Sequence, residues 1–181
     1  MAMNVRGFRL AGQRDGDATA KIWGYRKPQR LANLVAPVTG RLFFDSFASQ
    51  PADMDAWLTT MQRVRPRVVY GYASMLHLFA THAAGRGERV PGLELVFSTA
   101  EKLYPAQRAQ IEAALGVRVF DFYGCHEVPR LASECAHGRL HEAPDAAVIE
   151  IVPSGGDGET GAVLITSLTS FAMPLIDRKS V

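Results

Sequence analysis

From residue 51 onward the chain switches repeatedly between two hydrophobic periods. Met54, Trp57, Leu58, Met61 and Val64 recur at three- and four-residue steps, which predicts a helix from about Asp53, as its capping residue, to about Arg65, with one apolar stripe. Pro66 stops it, and Arg67 to Tyr70 is a short β-branched run expected to be a buried strand ended by Gly71. Leu76, Phe79, Ala80 and Ala83 mark one face of a second helix from about Ser74 to Ala84, closed by Gly85 and Gly87. Leu93 to Ser98 reads as another strand. Pro105 suits a first helical turn, and the third helix runs to Leu115 with Gly116 as its cap. Val117 to Phe122 is the next strand. After residue 140 the rhythm changes: Ala146 to Val152 and Ala162 to Leu168 are strand candidates joined by the glycine-rich loop Ser154 to Gly161.

Strands alternating with helices predict an α/β fold, with 67–70, 93–98 and 117–122 as neighbouring parallel strands and 74–84 and 105–115 as crossover helices. A smaller antiparallel β element comes after them. The expected organisation is a poorly patterned segment over 1–50, an α/β core over 51–139 and a β-hairpin element over 140–181. Within the first segment only Ala18 to Trp23 suggests a strand, and Pro28 and Pro37 break up the residues beyond it. The basic cluster Lys21, Arg26, Lys27 and Arg30 reads as a solvated loop face.

Composition narrows the class. The 181 residues, 48% hydrophobic and 21% charged, suit a globular domain with a real core. A net charge of +2 gives no reason to expect nucleic-acid binding. The two cysteines, Cys125 and Cys135, are too few for a disulfide scaffold. No apolar run approaches the roughly 18 residues a membrane helix needs, and the first residues lack a signal-peptide core. The expected setting is the cytoplasm.

Three loops come directly after strands: Gly71-Tyr72-Ala73-Ser74, Thr99-Ala100-Glu101-Lys102 and Tyr123-Gly124-Cys125-His126-Glu127. In open α/β sheets ligands bind outside the carboxyl ends of the strands. Small residues there admit a flat ligand to the backbone, and the polar and aromatic ones give it partners. Pattern alone therefore points to a small-molecule site.

The segments Val69-Tyr70-Gly71-Tyr72-Ala73-Ser74, Phe97-Ser98-Thr99-Ala100-Glu101-Lys102-Leu103 and Tyr123-Gly124-Cys125-His126-Glu127 occur in the order seen in phenylacetate–CoA ligases. The chain resembles that family of adenylate-forming ligases, and its capsule-biosynthesis-type relatives, over roughly residues 20–176. Ala172-Met173-Pro174-Leu175-Ile176 is similar to the segment leading to the family's ribose-binding aspartate. The resemblance implies an ATP-dependent, AMP-forming carboxylate–CoA ligase. A carboxylate attacks the α-phosphate of ATP, pyrophosphate leaves, and coenzyme A then displaces AMP. It also implies roles: Tyr123 stacking on adenine, Gly124 permitting close backbone approach, and Ser98, Thr99, Ala100 and Glu101 lining the adenine pocket. Tyr72 and Ser74 would lie near the acyl substrate, a small or aromatic carboxylic acid. Glu127 would be the catalytic carboxylate holding the magnesium carried by ATP. Without the resemblance, Tyr123 reads as strand-end packing and Glu127 as an exposed acid at a helix start. His126 stands where the family more often has Ser or Thr.

The run Glu134 to His141 holds Cys135, His137 and His141, which with Cys125 or His126 would make a four-ligand zinc set; the competing reading is a turn with exposed histidines. Ser154 to Gly161 carries Asp157 and Glu159, which would repel phosphate, so it reads as a turn and not as the family's phosphate loop. That loop and the family's C-terminal lysine domain are not in this sequence. The expectation is a partial ligase core, inactive as an isolated chain and completed by another chain or domain. The alternative is a non-catalytic nucleotide-binding or protein-interaction domain built on the same fold.

Overall fold

The computed structural model describes residues 7–24, 33–129, 131–153, 161–171, 174–176 and 178–179. The chain divides into two compact units, one of residues 11–121 and the other of the residues before 11 together with those from 122 on. Arg26, Lys27, Arg30, most of the glycine-rich loop and Ala172, Met173 and Asp177 lie outside the described residues.

The unit of residues 11–121 is built on a parallel sheet. Its strands are β1 (Thr19–Trp23), β2 (Arg41–Asp45), β3 (Val68–Tyr72), β4 (Leu95–Thr99) and the start of β5 (Val119–Tyr123). β1 pairs in parallel with both β2 and β3, and β3 pairs in parallel with β4. β5 lies beside β4, where the Val96 N–H donates to the Arg118 carbonyl at 3.3 Å. The connections are helical: α1 (Ala36–Thr39), α2 (Pro51–Val64), α3 (Ala73–Gly85) and α4 (Pro105–Leu115).

Strand register explains where the core sits. Ala20, Ile22, Leu42, Phe44, Val69 and Val96 share one face, because paired residues of parallel strands point the same way. That face buries against Trp57, Leu58 and Met61 of α2, Leu76, Phe79, Ala80 and Ala83 of α3, and Ile111 and Leu115 of α4. The opposite face carries Lys21, Trp23, Tyr70 and Tyr72, all half-buried.

Three details differ from the sequence reading. Gln50, not Asp53, is the N-cap of α2; Pro51 starts the helix, and Asp53 accepts the Gln50 N–H at 3.1 Å. β3 does not stop at Gly71 but runs through it to Tyr72, and α3 starts at once at Ala73. The first fifty residues contribute β1 and β2 to the sheet; β2, unmarked in the sequence, is pinned by the Asn33 side chain, whose amide donates to the Phe43 carbonyl at 2.7 Å and accepts its N–H at 2.8 Å.

In the other unit, the end of β5 pairs antiparallel with β6 (Ala132–Glu134), and β6 with β7 (Leu140–Glu142). β8 (Ala147–Pro153), β9 (Gly161–Ser167) and β10 (Arg178–Lys179) form an antiparallel sheet in the order β10-β9-β8. Its core is Val128, Leu131, Ala146, Ala147 and Ile165. Among the described residues no helix is long and apolar enough to cross a membrane.

Candidate functional site

In the unit of residues 11–121, two of the predicted loops leave the same edge of the sheet. Gly71 is in register with Ser98 and Tyr72 with Thr99, so the chain turns out of both strands at one level. From β3 it passes directly into α3, whose N-cap is Tyr72. No side-chain cap is made from Tyr72 to the first free N–H groups of the helix. The acceptor comes instead from the neighbouring loop: Glu101 Oε2 takes the Ser74 N–H at 2.8 Å.

The 98–101 loop has two further marks. Ala100 has φ +64°, the left-handed region that L-residues other than Asn and Asp seldom occupy. Ser98 is fully buried, and among the described residues its Oγ has no hydrogen-bond partner. Thr99 on one side and Leu103 on the other are buried, while Ala100 and Glu101 between them are exposed. Strain and an unsatisfied buried hydroxyl in one short turn are features that binding sites retain and plain turns shed.

Beside Tyr72 lies an aromatic cluster that sequence reading passed over. The Trp23 ring lies 4.3 Å from that of Tyr72 and 5.6 Å from that of Tyr70, centroid to centroid. The Lys21 ammonium sits 5.3 Å from the Trp23 ring and 5.2 Å from the Tyr70 ring. Burial holds its pKa below the ordinary lysine value. A Cβ on Gly24 would come 3.0 Å from the Phe47 ring and 3.7 Å from the Tyr72 hydroxyl. The signal was in the period-two spacing of Lys21 and Trp23, which puts both on one strand face.

Tyr123, Gly124 and Glu127 belong to the other unit. Tyr123 ends β5 with 38% of its surface exposed, and its carbonyl accepts the Leu131 N–H at 2.9 Å. The loop then closes on itself. The Cys125 N–H donates to the Val128 carbonyl at 3.0 Å, and the Val128 N–H donates to Cys125 Sγ at 3.4 Å. Val128 plugs the core of this unit, which leaves His126 and Glu127 on the surface of a pinned loop.

Among the described residues no group of three or more His, Cys, Asp and Glu side chains could hold a metal ion. The Cys135 run is a hairpin turn between β6 and β7, not a zinc cage. Its thiol accepts the His137 N–H at 3.4 Å, and its pKa falls to about 7 through the N–H groups of Arg139 and His137 and the imidazole of His141.

No protein-family model matches the chain. It is similar to the phenylacetate–coenzyme A ligase of Thermus thermophilus, 27% identical over 193 residues, which cover 95% of this chain and 41% of that protein. The corresponding enzyme of Aromatoleum evansii is 26% identical over 201 residues, with the same coverage. The chain thus spans about two-fifths of the length of the curated relatives it matches. Among solved structures, 2-hydroxyisobutyryl-CoA ligase in complex with 2-HIB-AMP and CoA matches with a TM-score of 0.75 at 20% identity, over 98% of this chain and 41% of that one. The anthranilate CoA ligase in complex with anthranoyl-AMP matches with a TM-score of 0.62 at 20% identity, over 93% of this chain and 34% of that one. The fold is that of a partial core of the adenylate-forming CoA ligases.

Proposed function

We propose that this chain serves as part of the nucleotide-binding core of an ATP-dependent, AMP-forming carboxylate–CoA ligase of the phenylacetate–CoA ligase type, working in the cytoplasm. In this reading Ser98, Thr99, Ala100 and Glu101 form the adenine side of the site. Tyr123 offers a ring face to the base and Gly124 a bare backbone. Tyr72 and Ser74 face the acyl group of a small carboxylic acid, and Trp23 backs Tyr72.

The observation that supports it most is the strained, partly unsatisfied 98–101 turn at the carboxyl edge of a parallel sheet, in register with the Tyr72 loop. Magnesium fits the donor chemistry in a limited way. Glu127 is an exposed carboxylate, a hard oxygen donor, and the remaining positions would go to ATP oxygens and water, as is usual for this ion. When bound, the ion neutralises charge building on the phosphates. The chain's own part is to orient the nucleotide and present the acyl group to it.

The test is photolabelling with 8-azido-AMP, with calorimetry of AMP binding alongside. Label on both the Ser98–Lys102 and the Tyr123–Glu127 peptides, competed by AMP, is the expected result. Label on neither overturns the reading. AMP binding with no carboxylate-dependent chemistry under any complementation would instead favour a non-catalytic nucleotide-binding domain.

A further inference from the structure

The free N–H groups at the start of an α-helix need acceptors. In α3 no side-chain cap is made from the N-cap residue, Tyr72. The acceptor is Glu101, twenty-seven residues beyond Ser74, whose nitrogen lies 2.8 Å from it. A carboxylate at that point also offsets the positive end of the helix dipole.

Glu101 is also the residue after the strained one. Ala100 holds φ +64° between buried Thr99 and exposed Glu101, and a non-glycine residue keeps that conformation only where the surroundings over-determine it. On one side the restraint is β4, whose last residue Thr99 is in register with Tyr72. On the other side it is the carboxylate of Glu101 anchored to α3. The turn is therefore clamped at both ends, and both clamps lead to the Tyr72–Ser74 segment.

We propose that Glu101 is a positioning residue. It caps helix α3 in trans, locks the 99–101 turn and the Tyr72–Ser74 segment into one preformed unit, and leaves contact with the nucleotide to the backbone of the turn and to Ser98. The role in ligand binding rests on the functional reading given above; the lock itself does not. Ser98 Oγ, which has no hydrogen-bond partner among the described residues, is a polar atom left for a ligand at the turn.

Two variants and two readouts separate the possibilities. Glu101→Ala removes the acceptor, and Glu101→Gln keeps an acceptor oxygen without the charge. Amide hydrogen exchange of the 73–76 segment, measured without ligand, should accelerate about tenfold in Glu101→Ala and no more than about threefold in Glu101→Gln, in keeping with the usual strength of helix caps. AMP affinity by calorimetry should follow the same order, with a loss of about tenfold for Ala and substantial rescue by Gln, because a disordered turn must be reordered on binding. Unchanged exchange in Glu101→Ala overturns the proposal. So does Glu101→Gln losing AMP affinity as fully as Glu101→Ala while exchange stays at the wild-type rate, since the charge would then act on the ligand itself. If the wild-type chain binds no AMP, the functional reading fails on that arm, and the exchange arm alone decides whether the lock exists.

Discussion

Among the described residues, Ala100 and Arg65 are the non-glycine positions with positive φ. A left-handed L-residue costs about 1–2 kcal/mol per residue, and Arg65, the C-cap of α2, has the same sign of φ at +54°. Glycine at either position relieves the strain, less its larger loss of chain entropy. Arg65→Gly should therefore raise stability by up to about 1 kcal/mol in urea titration and leave AMP affinity untouched. Ala100→Gly should stabilise similarly and weaken AMP binding, because the turn loses its preset shape. Equal AMP affinity in both variants would mean that the strain serves packing alone. At Tyr123, loss of the ring in Tyr123→Ala should weaken AMP binding by about 1–3 kcal/mol, the usual range for bases stacked on aromatic side chains. Glu127→Gln should weaken magnesium–ATP more than AMP, since only the metal needs the charge.

Cys135 gives the pH-dependent case at this scale. Its pKa is lowered to about 7, first by the Arg139 N–H, then by the His137 N–H, with His141 adding to both. The folded state therefore favours the thiolate more than the unfolded chain does. The resulting stabilisation is full above the ordinary cysteine range and is lost as the pH falls through about 7. Iodoacetamide should accordingly alkylate Cys135 with a midpoint near 7, and His141→Ala should move that midpoint upward. A midpoint unmoved by His141→Ala would assign the effect to the turn's N–H groups alone.

At the scale of elements, legibility tracks burial pattern and end signals. α4 reads directly from the sequence because Pro105 opens it, Ile111 and Leu115 bury one stripe, and Gly116 closes it at φ +72°. β4 is legible as an apolar run because every residue of it is buried. β7 is not, since Leu140, His141 and Glu142 are all exposed and carry no alternation. β6 hides for the opposite reason: it buries Ser133 and Glu134, residues whose chemistry argues against a buried strand. Gly71 reads as a strand end because glycine usually punctuates, yet here it serves packing. A Cβ on it would meet the Ile22 carbonyl oxygen at 3.0 Å, Ile22 Cβ at 3.2 Å and Leu76 Cγ at 3.5 Å. β1 and the start of α3 thus close on β3 only because that position is bare. Gly71→Ala should destabilise the chain by about 1–3 kcal/mol, as overpacking does, and should disturb Tyr72 more than Tyr123. The three candidate loops are legible as compositions, whereas the Glu101–Ser74 bond is not, because no local rule pairs residues twenty-seven apart.

The whole molecule sets the limit on chemistry. Adenylate formation develops charge on a phosphate chain, and that charge must be met by donors and cations fixed in place before reaction. The sequence offers few of them near the candidate loops. Its one extended glycine run, Ser154 to Gly161, carries Asp157 and Glu159 and lies between β8 and β9, so its charge opposes phosphate. Positioning is a separate requirement: holding a carboxylate in line with the α-phosphate supplies a large part of such a rate, and small misplacements forfeit it. Binding a nucleotide base asks far less, namely a ring face, a close backbone and a shaped turn. The purified 181-residue chain should therefore bind AMP measurably yet show no carboxylate-dependent exchange of labelled pyrophosphate into ATP. Detectable exchange abolished by Glu127→Gln would refute this and mean that the chain meets the phosphate charge with groups of its own. Exchange that arises only when a separate polypeptide corresponding to the rest of a full-length relative is added would place the missing donors in that polypeptide and leave the nucleotide-binding role with this one.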